Sequence, residues 1–220
     1  MKTLACLSTL VLVNACALAL SACSGLRGTP AGDAAASPSA GRALVTPLAG
    51  GRTAEGGVID GFQFSEKPGD VSLDPVTFAA GTAHASGVID PRRGSSWGGI
   101  ALTASLARGG RAVDVASARA IALSLAAPGA ATLRVRLLGR DAALRDNGCY
   151  PVALVQVTPE LKEYTLPIAA FEPESYCGAG APAGPAVAGA MTAVEIADAT
   201  VVAGRRRAVD FTVGVIRALP

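Results

Sequence analysis

The chain has 220 residues, 50% of them hydrophobic and 16% charged, with a formal net charge of +2. That length supports one domain with a proper core. A charge so near balance, with Arg205-Arg206-Arg207 as the one basic run, gives no footing for a nucleic-acid partner.

The chain opens MKTLACLSTLVLVNACALALSAC, with one charge at Lys2, an uncharged apolar run and a small-residue exit. These are the marks of an export leader. Leu20-Ser21-Ala22-Cys23 resembles the lipobox of bacterial lipoproteins, which implies removal of residues 1–22 and a lipid on Cys23. A transmembrane helix is the competing reading of such a stretch, but the small-residue exit and the polar segment behind it argue against one. Removing Lys2 with the leader leaves 18 of the 19 basic side chains against 17 acidic ones. Ser24, standing where an aspartate would retain a Gram-negative lipoprotein at the inner membrane, implies by the same resemblance the outer membrane. In a single-membrane envelope the same anchor would face outside.

Residues 24–49 are dominated by Ala, Gly, Ser and Pro and contain no aromatic residue. Such a segment buries too little apolar surface to offset its ordering entropy, so residues 23–49 are expected to form a flexible tether, with Leu44-Val45 close enough to touch the domain. The folded domain is then expected over 50–220. From Gly56 onward, short apolar runs alternate with Gly, Pro, Asp and Asn, the pattern of an all-β chain. Strands are expected at 58–64, 82–88, 99–106, 118–125, 132–138, 152–157, 163–167, 193–197 and 209–219. In TLRVRLL, Leu133, Val135 and Leu137 point one way and Arg134 and Arg136 the other. The alanines of ASARAIALSLA favour helix by propensity, but Ile121, Leu123 and Leu125 alternate and Pro128-Gly129 closes the run as a turn. Without convincing helices, this many strands imply two packed antiparallel sheets.

Cys149 and Cys177 remain after the leader and the lipidated cysteine are set aside. In an exported protein an even pair reads as a disulfide. Bridging them closes a loop of about 29 residues, on the order of 3 to 4 kcal/mol in the chain-entropy model. Two cysteines without nearby histidines do not complete a zinc shell.

The order of motifs is Asp60-Gly61-Phe62, TAHASG, SSWGGIALTA, VDVASARAIALSLAAPG, an Arg-bearing strand, VTPELKEYTLPIAAF and VDFTVGVIRAL. It resembles the galactose-binding-like β-sandwich (jelly-roll) domains, particularly carbohydrate-binding modules and the complex I intermediate-associated protein family. The resemblance spans residues 56–219, and its most specific piece is Thr158, Lys162, Tyr164, Leu166, Pro167 and Phe171. Two positions depart from it: Leu161 stands where relatives often carry tryptophan, and Gly214 where a calcium-binding acid is common. Asp60 and Asp210 alone fall short of the six to eight oxygens calcium takes, so neither metal nor cofactor is expected.

Few groups suit acid–base chemistry. His84, the sole histidine, sits in an alternating run and reads as a sheet residue. No Gly-x-Ser-x-Gly, HExxH or phosphate loop occurs. The carboxylate pairs, Asp141 with Asp146, Glu160 with Glu163 and Glu172 with Glu174, fit turns and solvated faces, so an enzyme is not expected. The resemblance implies binding instead, of a carbohydrate or envelope glycan. The alternative is an assembly factor that docks another envelope protein through a sheet face. Candidate ligand-binding residues are Trp97, Arg134, Arg136, Tyr150 and Gln156. Trp97, between Ser96 and Gly98, suits either an exposed platform or a core anchor. Tyr150 and Tyr176 each adjoin a cysteine and pack on the bridge or offer a polar tip. Arg134 and Arg136 share the non-core face with Gln156, there to bind hydroxyls or carboxylates or to solubilise an exposed sheet. An acidic glycan or a protein partner fits two arginines at least as well. Phe62, Phe78, Phe171 and Phe211 are expected in the core.

Overall fold

The computed structural model describes residues 41–79, 81–129, 131–141 and 148–220. The expected leader, the lipidation expected at Cys23, the expected tether up to residue 40 and Asp146 lie outside the described residues.

Among the described residues, twelve strands form two antiparallel sheets. They are β1 (Arg42–Val45), β2 (Ile59–Ser65), β3 (Val71–Leu73), β4 (Thr77–Ala79), β5 (Thr82–Ile89), β6 (Gly98–Ser105), β7 (Ala120–Ala126), β8 (Ala131–Gly139), β9 (Val152–Val157), β10 (Lys162–Pro167), β11 (Met191–Asp198) and β12 (Arg207–Leu219). One sheet runs β10-β7-β12-β5-β3, with β1 paired to β12 and β4 to β5; the other runs β2-β6-β11-β8-β9. A short helix, Gly184–Ala188, and single 3-10 turns fill the connections.

Side chains alternate as a two-sheet sandwich requires. Along β8, Leu133, Val135 and Leu137 are fully buried while Arg134 and Arg136 face outward. Facing them across the core are Val209, Phe211 and Val213 of β12 and Ile121, Leu123 and Leu125 of β7. The alanine-rich run is therefore a strand: burial on the inner face and ladder bonds to β10 and β12 outweigh its helical propensity. Phe171 and Phe211 have no exposed surface.

Residues 42–45, which composition assigns to a tether, are a strand. Leu44 and Val45 are buried, and β1 pairs Arg42 with Ala218 and Val45 with Ile216. Two apolar side chains and an open edge of β12 suffice to order residues that composition assigns to a linker. β3 and β4 were not expected either, because three residues are too few to show a period. His84 sits on β5 as a sheet residue, its Nε2 2.9 Å from Asp210 Oδ1. Asp60 and Asp210 fall on different sheets.

Candidate functional site: a cleft on the outer face of the five-stranded sheet

Strand register places the site. One row across the outer face is Phe62, Ala101, Ala197, Arg134 and Leu154; the next is Asp60, Thr103, Glu195, Arg136 and Val152. Ala101 and Ala197 are small and fully covered, so the bulky walls on either side lean over them. Gly99 extends this low line, because a Cβ there would stand 2.8 Å from Phe64 Cζ and 2.7 Å from the Asp198 carbonyl. Between the walls lies a cleft of about 690 Å³.

One wall is aromatic. Phe62 and Phe64 lie two residues apart on β2, their rings tilted 36° to each other with centroids 5.9 Å apart. Trp97 stands beside them with 54% of its surface exposed, and Phe62 with 39%. The Trp97 loop is held from below. Buried Asp70 accepts hydrogen bonds from the Arg93 and Ser95 backbone N–H groups at 3.0 and 3.1 Å. Burial raises the Asp70 carboxyl, but these bonds and the Ser95 side chain outweigh it and hold it below its ordinary value. Glu66 accepts from the Ser96 N–H at 2.9 Å and its hydroxyl at 2.7 Å. Those two bonds lower its carboxyl to about 2. Trp97 is thus an exposed ring on an ordered loop.

The other wall is ionic. Arg136 donates from Nε to Glu174 Oε1 at 2.9 Å and through a second guanidinium nitrogen at 2.5 Å. Arg134 stands 3.4 Å from the same oxygen, and both arginines stand 3.5 Å from Glu195 Oε1. The Arg134 guanidinium also lies 5.4 Å from the Phe64 ring centroid, joining the two walls. Burial is the largest influence on Arg134, Arg136 and Glu195. It lowers Arg134, with Arg136 adding to the effect, and raises Glu195 against the pull of both arginines. At Arg136 burial is outweighed by the Glu174 hydrogen bond and by Glu195, and the guanidinium is raised. The third side is Tyr176, 62% exposed, whose hydroxyl accepts from Arg136 at 3.0 Å and donates to the Gly148 carbonyl at 3.3 Å. The Cys149–Cys177 disulfide adjoins it, with Cα atoms 5.5 Å apart.

Of the five residues proposed from sequence, Trp97, Arg134 and Arg136 line this cleft. The arginines are not free, however. Their side chains are only 17% and 13% exposed and both are engaged by glutamates, so the expectation of unpaired guanidinium groups is corrected. Tyr150 is corrected as well: it is 9% exposed and belongs to the core cluster. Gln156 shares the outer face but does not line the cleft, and its amide donates to Thr132 Oγ1 at 2.6 Å. Phe62, expected in the core, is on the aromatic wall, because β2 turns Ile59 and Gly61 inward and its even-numbered residues outward. Glu174, read as a solvated turn residue, is in the network, and Glu195 was missed. The alternation of MTAVEIAD held the signal for Glu195, with Val194 and Ile196 inward and the acid outward. Arg205-Arg206-Arg207 is at the turn between β11 and β12, where Arg207 pairs with Asp198 and Arg206 with Asp90.

No protein-family model matches the sequence, and no curated protein does. Among solved structures, the chain is similar to a family 11 carbohydrate-binding module of the cellulosomal cellulase Lic26A-Cel5E of Clostridium thermocellum. Identity is 15%, 84% of this chain and 97% of that one are covered, and the TM-score is 0.52. A family 11 carbohydrate-binding module from Clostridium thermocellum in complex with a β-1,3-1,4-mixed-linked tetrasaccharide matches at 14% identity. It covers 72% of this chain and 88% of its own, with a TM-score of 0.48. The fold is a carbohydrate-binding-module-like β-sandwich. At such low identity the likeness concerns the fold alone.

Proposed function

We propose that this chain is a non-catalytic glycan-binding module, held at a membrane surface through a lipid on Cys23, that takes a neutral carbohydrate in the cleft of the five-stranded sheet. The observation that carries the reading is the pairing of exposed aromatic rings, Trp97 at 54% and Tyr176 at 62%, with fixed polar groups on the facing wall. Exposed rings offer flat apolar surface to a sugar ring. Planar guanidinium and carboxylate groups suit its hydroxyls.

Charge selects the class of glycan. Two arginines and two glutamates sum to zero in the cleft, so an acidic sugar meets no net positive field. Glu195 Oε1 is buried without a hydrogen-bond partner among the described residues, and it lines the cleft. Both guanidinium groups stand 3.5 Å from that oxygen, so Glu195 balances the arginines and holds them on the cleft wall. Catalysis is the weaker use of these carboxylates, because a general acid or base must be free to exchange a proton with its substrate. Glu174 is locked to Arg136 by two hydrogen bonds. The fold's likeness to a carbohydrate-binding module supports the same reading. The leader and the Leu20-Ser21-Ala22-Cys23 motif support the anchor.

Binding is tested by calorimetry against neutral glucans, mannans, xylans and galactans beside uronic-acid polymers. Saturable binding to a neutral member, lost in Trp97→Ala, supports the reading. Binding to the acidic polymers alone, or capture of an envelope protein with no glycan signal, refutes it. The anchor is tested by fatty-acid labelling of the exported chain, which Cys23→Ala should abolish.

A further inference from the structure

The Cys149–Cys177 disulfide sits at the rim of the cleft, and its surroundings give it a task beyond closing a loop. Among the described residues, the segment that carries Glu174 and Tyr176 leaves the sheet after Glu172. That residue makes the last ladder bonds, with Val152, at 2.8 and 3.0 Å. Over residues 173–178 the backbone bond is a local one, from the Cys177 N–H to the Glu174 carbonyl at 2.9 Å, within the turn Ser175–Cys177. Tyr176 is mostly exposed, so packing does not hold it. Among the described residues, this wall is tied to the segment that leads into β9 by the covalent bridge, together with the Tyr176 hydroxyl bond to Gly148, the neighbour of Cys149.

The fold has other means of support. Phe171, Phe211, Leu133 and Leu137 are fully buried, and a core of this size does not need a staple. We propose that the Cys149–Cys177 disulfide is a positioning element for the binding cleft. It presets Tyr176 and Glu174 against Arg136, so that the reduced protein remains a folded sandwich with a weakened site. This rests on the glycan-binding reading of the cleft. The gain is preorganisation: with the bridge closed, the wall is ordered before the ligand arrives and binding does not have to order it. A dithiol that breaks the bridge supplies two electrons and two protons, leaving two thiols here and a disulfide on the reductant. Among the described residues, the wall is then held by the contacts of Arg136 and Arg134 with Glu174 and by the Tyr176 hydroxyl bonds to Arg136 and Gly148.

The test compares oxidised wild type, dithiothreitol-treated wild type and the Cys149→Ser/Cys177→Ser double variant, using the neutral glycan that the oxidised protein binds. The expected result is roughly tenfold weaker binding in both bridge-free forms, the scale of ordering two rotamer-rich side chains on binding. Far-UV circular dichroism and cooperative melting should be retained, at a lower Tm. Tyr176→Ala should weaken binding in the oxidised protein and add little once the bridge is gone. Amide hydrogen exchange supplies a readout that needs no ligand: the Glu172 and Cys177 amides, hydrogen-bonded in the closed wall, should lose protection on reduction while β8 and β12 keep theirs. If no glycan binds the oxidised protein, the binding reading fails, and the exchange data still decide whether the bridge orders the wall. Unchanged affinity and exchange in the bridge-free forms overturn the proposal. Loss of cooperative melting in both also overturns it, because the bridge would then be holding the fold.

Discussion

Replacing Arg136 with methionine removes the charge at the centre of the ionic wall and keeps most of the apolar stem. Arg136 contributes two hydrogen bonds to Glu174, one to the Tyr176 hydroxyl, and a 3.5 Å approach to Glu195. Its side chain is 13% exposed, and those of Glu174 and Glu195 are 14% and 8% exposed. Taking one partner from a buried ionic group costs about 3 to 5 kcal/mol, because a charge is left without its counterpart. Arg134 remains to compensate in part, and some solvent reaches the group, so the lower end applies, about 3 kcal/mol. For a domain of this length, that lowers Tm by roughly 6 to 12 °C. Thermal melts of Arg136→Met and of Arg136→Met/Glu174→Gln measure it. The double variant should recover most of the loss, since the orphaned carboxylate is gone. A single-variant cost below about 1 kcal/mol, or a double variant whose losses add, would show that water screens the network and would refute the reasoning.

Glu66 and Glu195 give opposite pH signatures. The Glu66 carboxyl is lowered to about 2 from the ordinary 4.5, so its stabilisation is complete above 4.5 and is lost as pH falls toward 2. Burial raises Glu195, so its ionised form opposes folding above its folded pKa, and that cost lifts as pH falls through it. Carboxyl-carbon NMR titration should show one glutamate above the usual range, absent in Glu195→Gln. Gly99→Ala brings a Cβ to 2.8 Å from Phe64 Cζ and 2.7 Å from the Asp198 carbonyl. It should cost about 1 to 3 kcal/mol, as overpacking does, and should displace the Phe64 ring, read by melting and ring chemical shifts. Phe211→Ala, deep in the core, should cost about 3 to 5 kcal/mol in urea unfolding.

Period-two alternation made much of this architecture legible before any coordinates. The run around Leu133, Val135 and Leu137 announced a central strand, and the inward Phe211 announced its facing partner. The same logic failed where an element is too short to alternate, as in β3 and β4, or where composition masks two core side chains, as with Leu44 and Val45. At the site, alternation told correctly that Arg134 and Arg136 face away from the core. It gave no hint that Glu174, from a distant turn, and Glu195, from the adjacent strand, would neutralise them. Ion pairing across elements depends on register, which single-strand patterns do not contain. Phe62 shows the opposite error. An aromatic on a strand reads as core, although the inward positions of β2 belong to Ile59 and Gly61.

Trp97 is the single tryptophan of the chain and lines the cleft, so its fluorescence reports directly on occupancy. Titrating the oxidised protein with a neutral glycan should shift or quench that emission saturably. Trp97→Ala should bind at least roughly thirtyfold more weakly by calorimetry, the loss of a central anchor, with Tm unchanged because the ring is 54% exposed. A neutral-glycan panel that leaves the emission untouched, or an affinity indifferent to Trp97→Ala, would contradict the account.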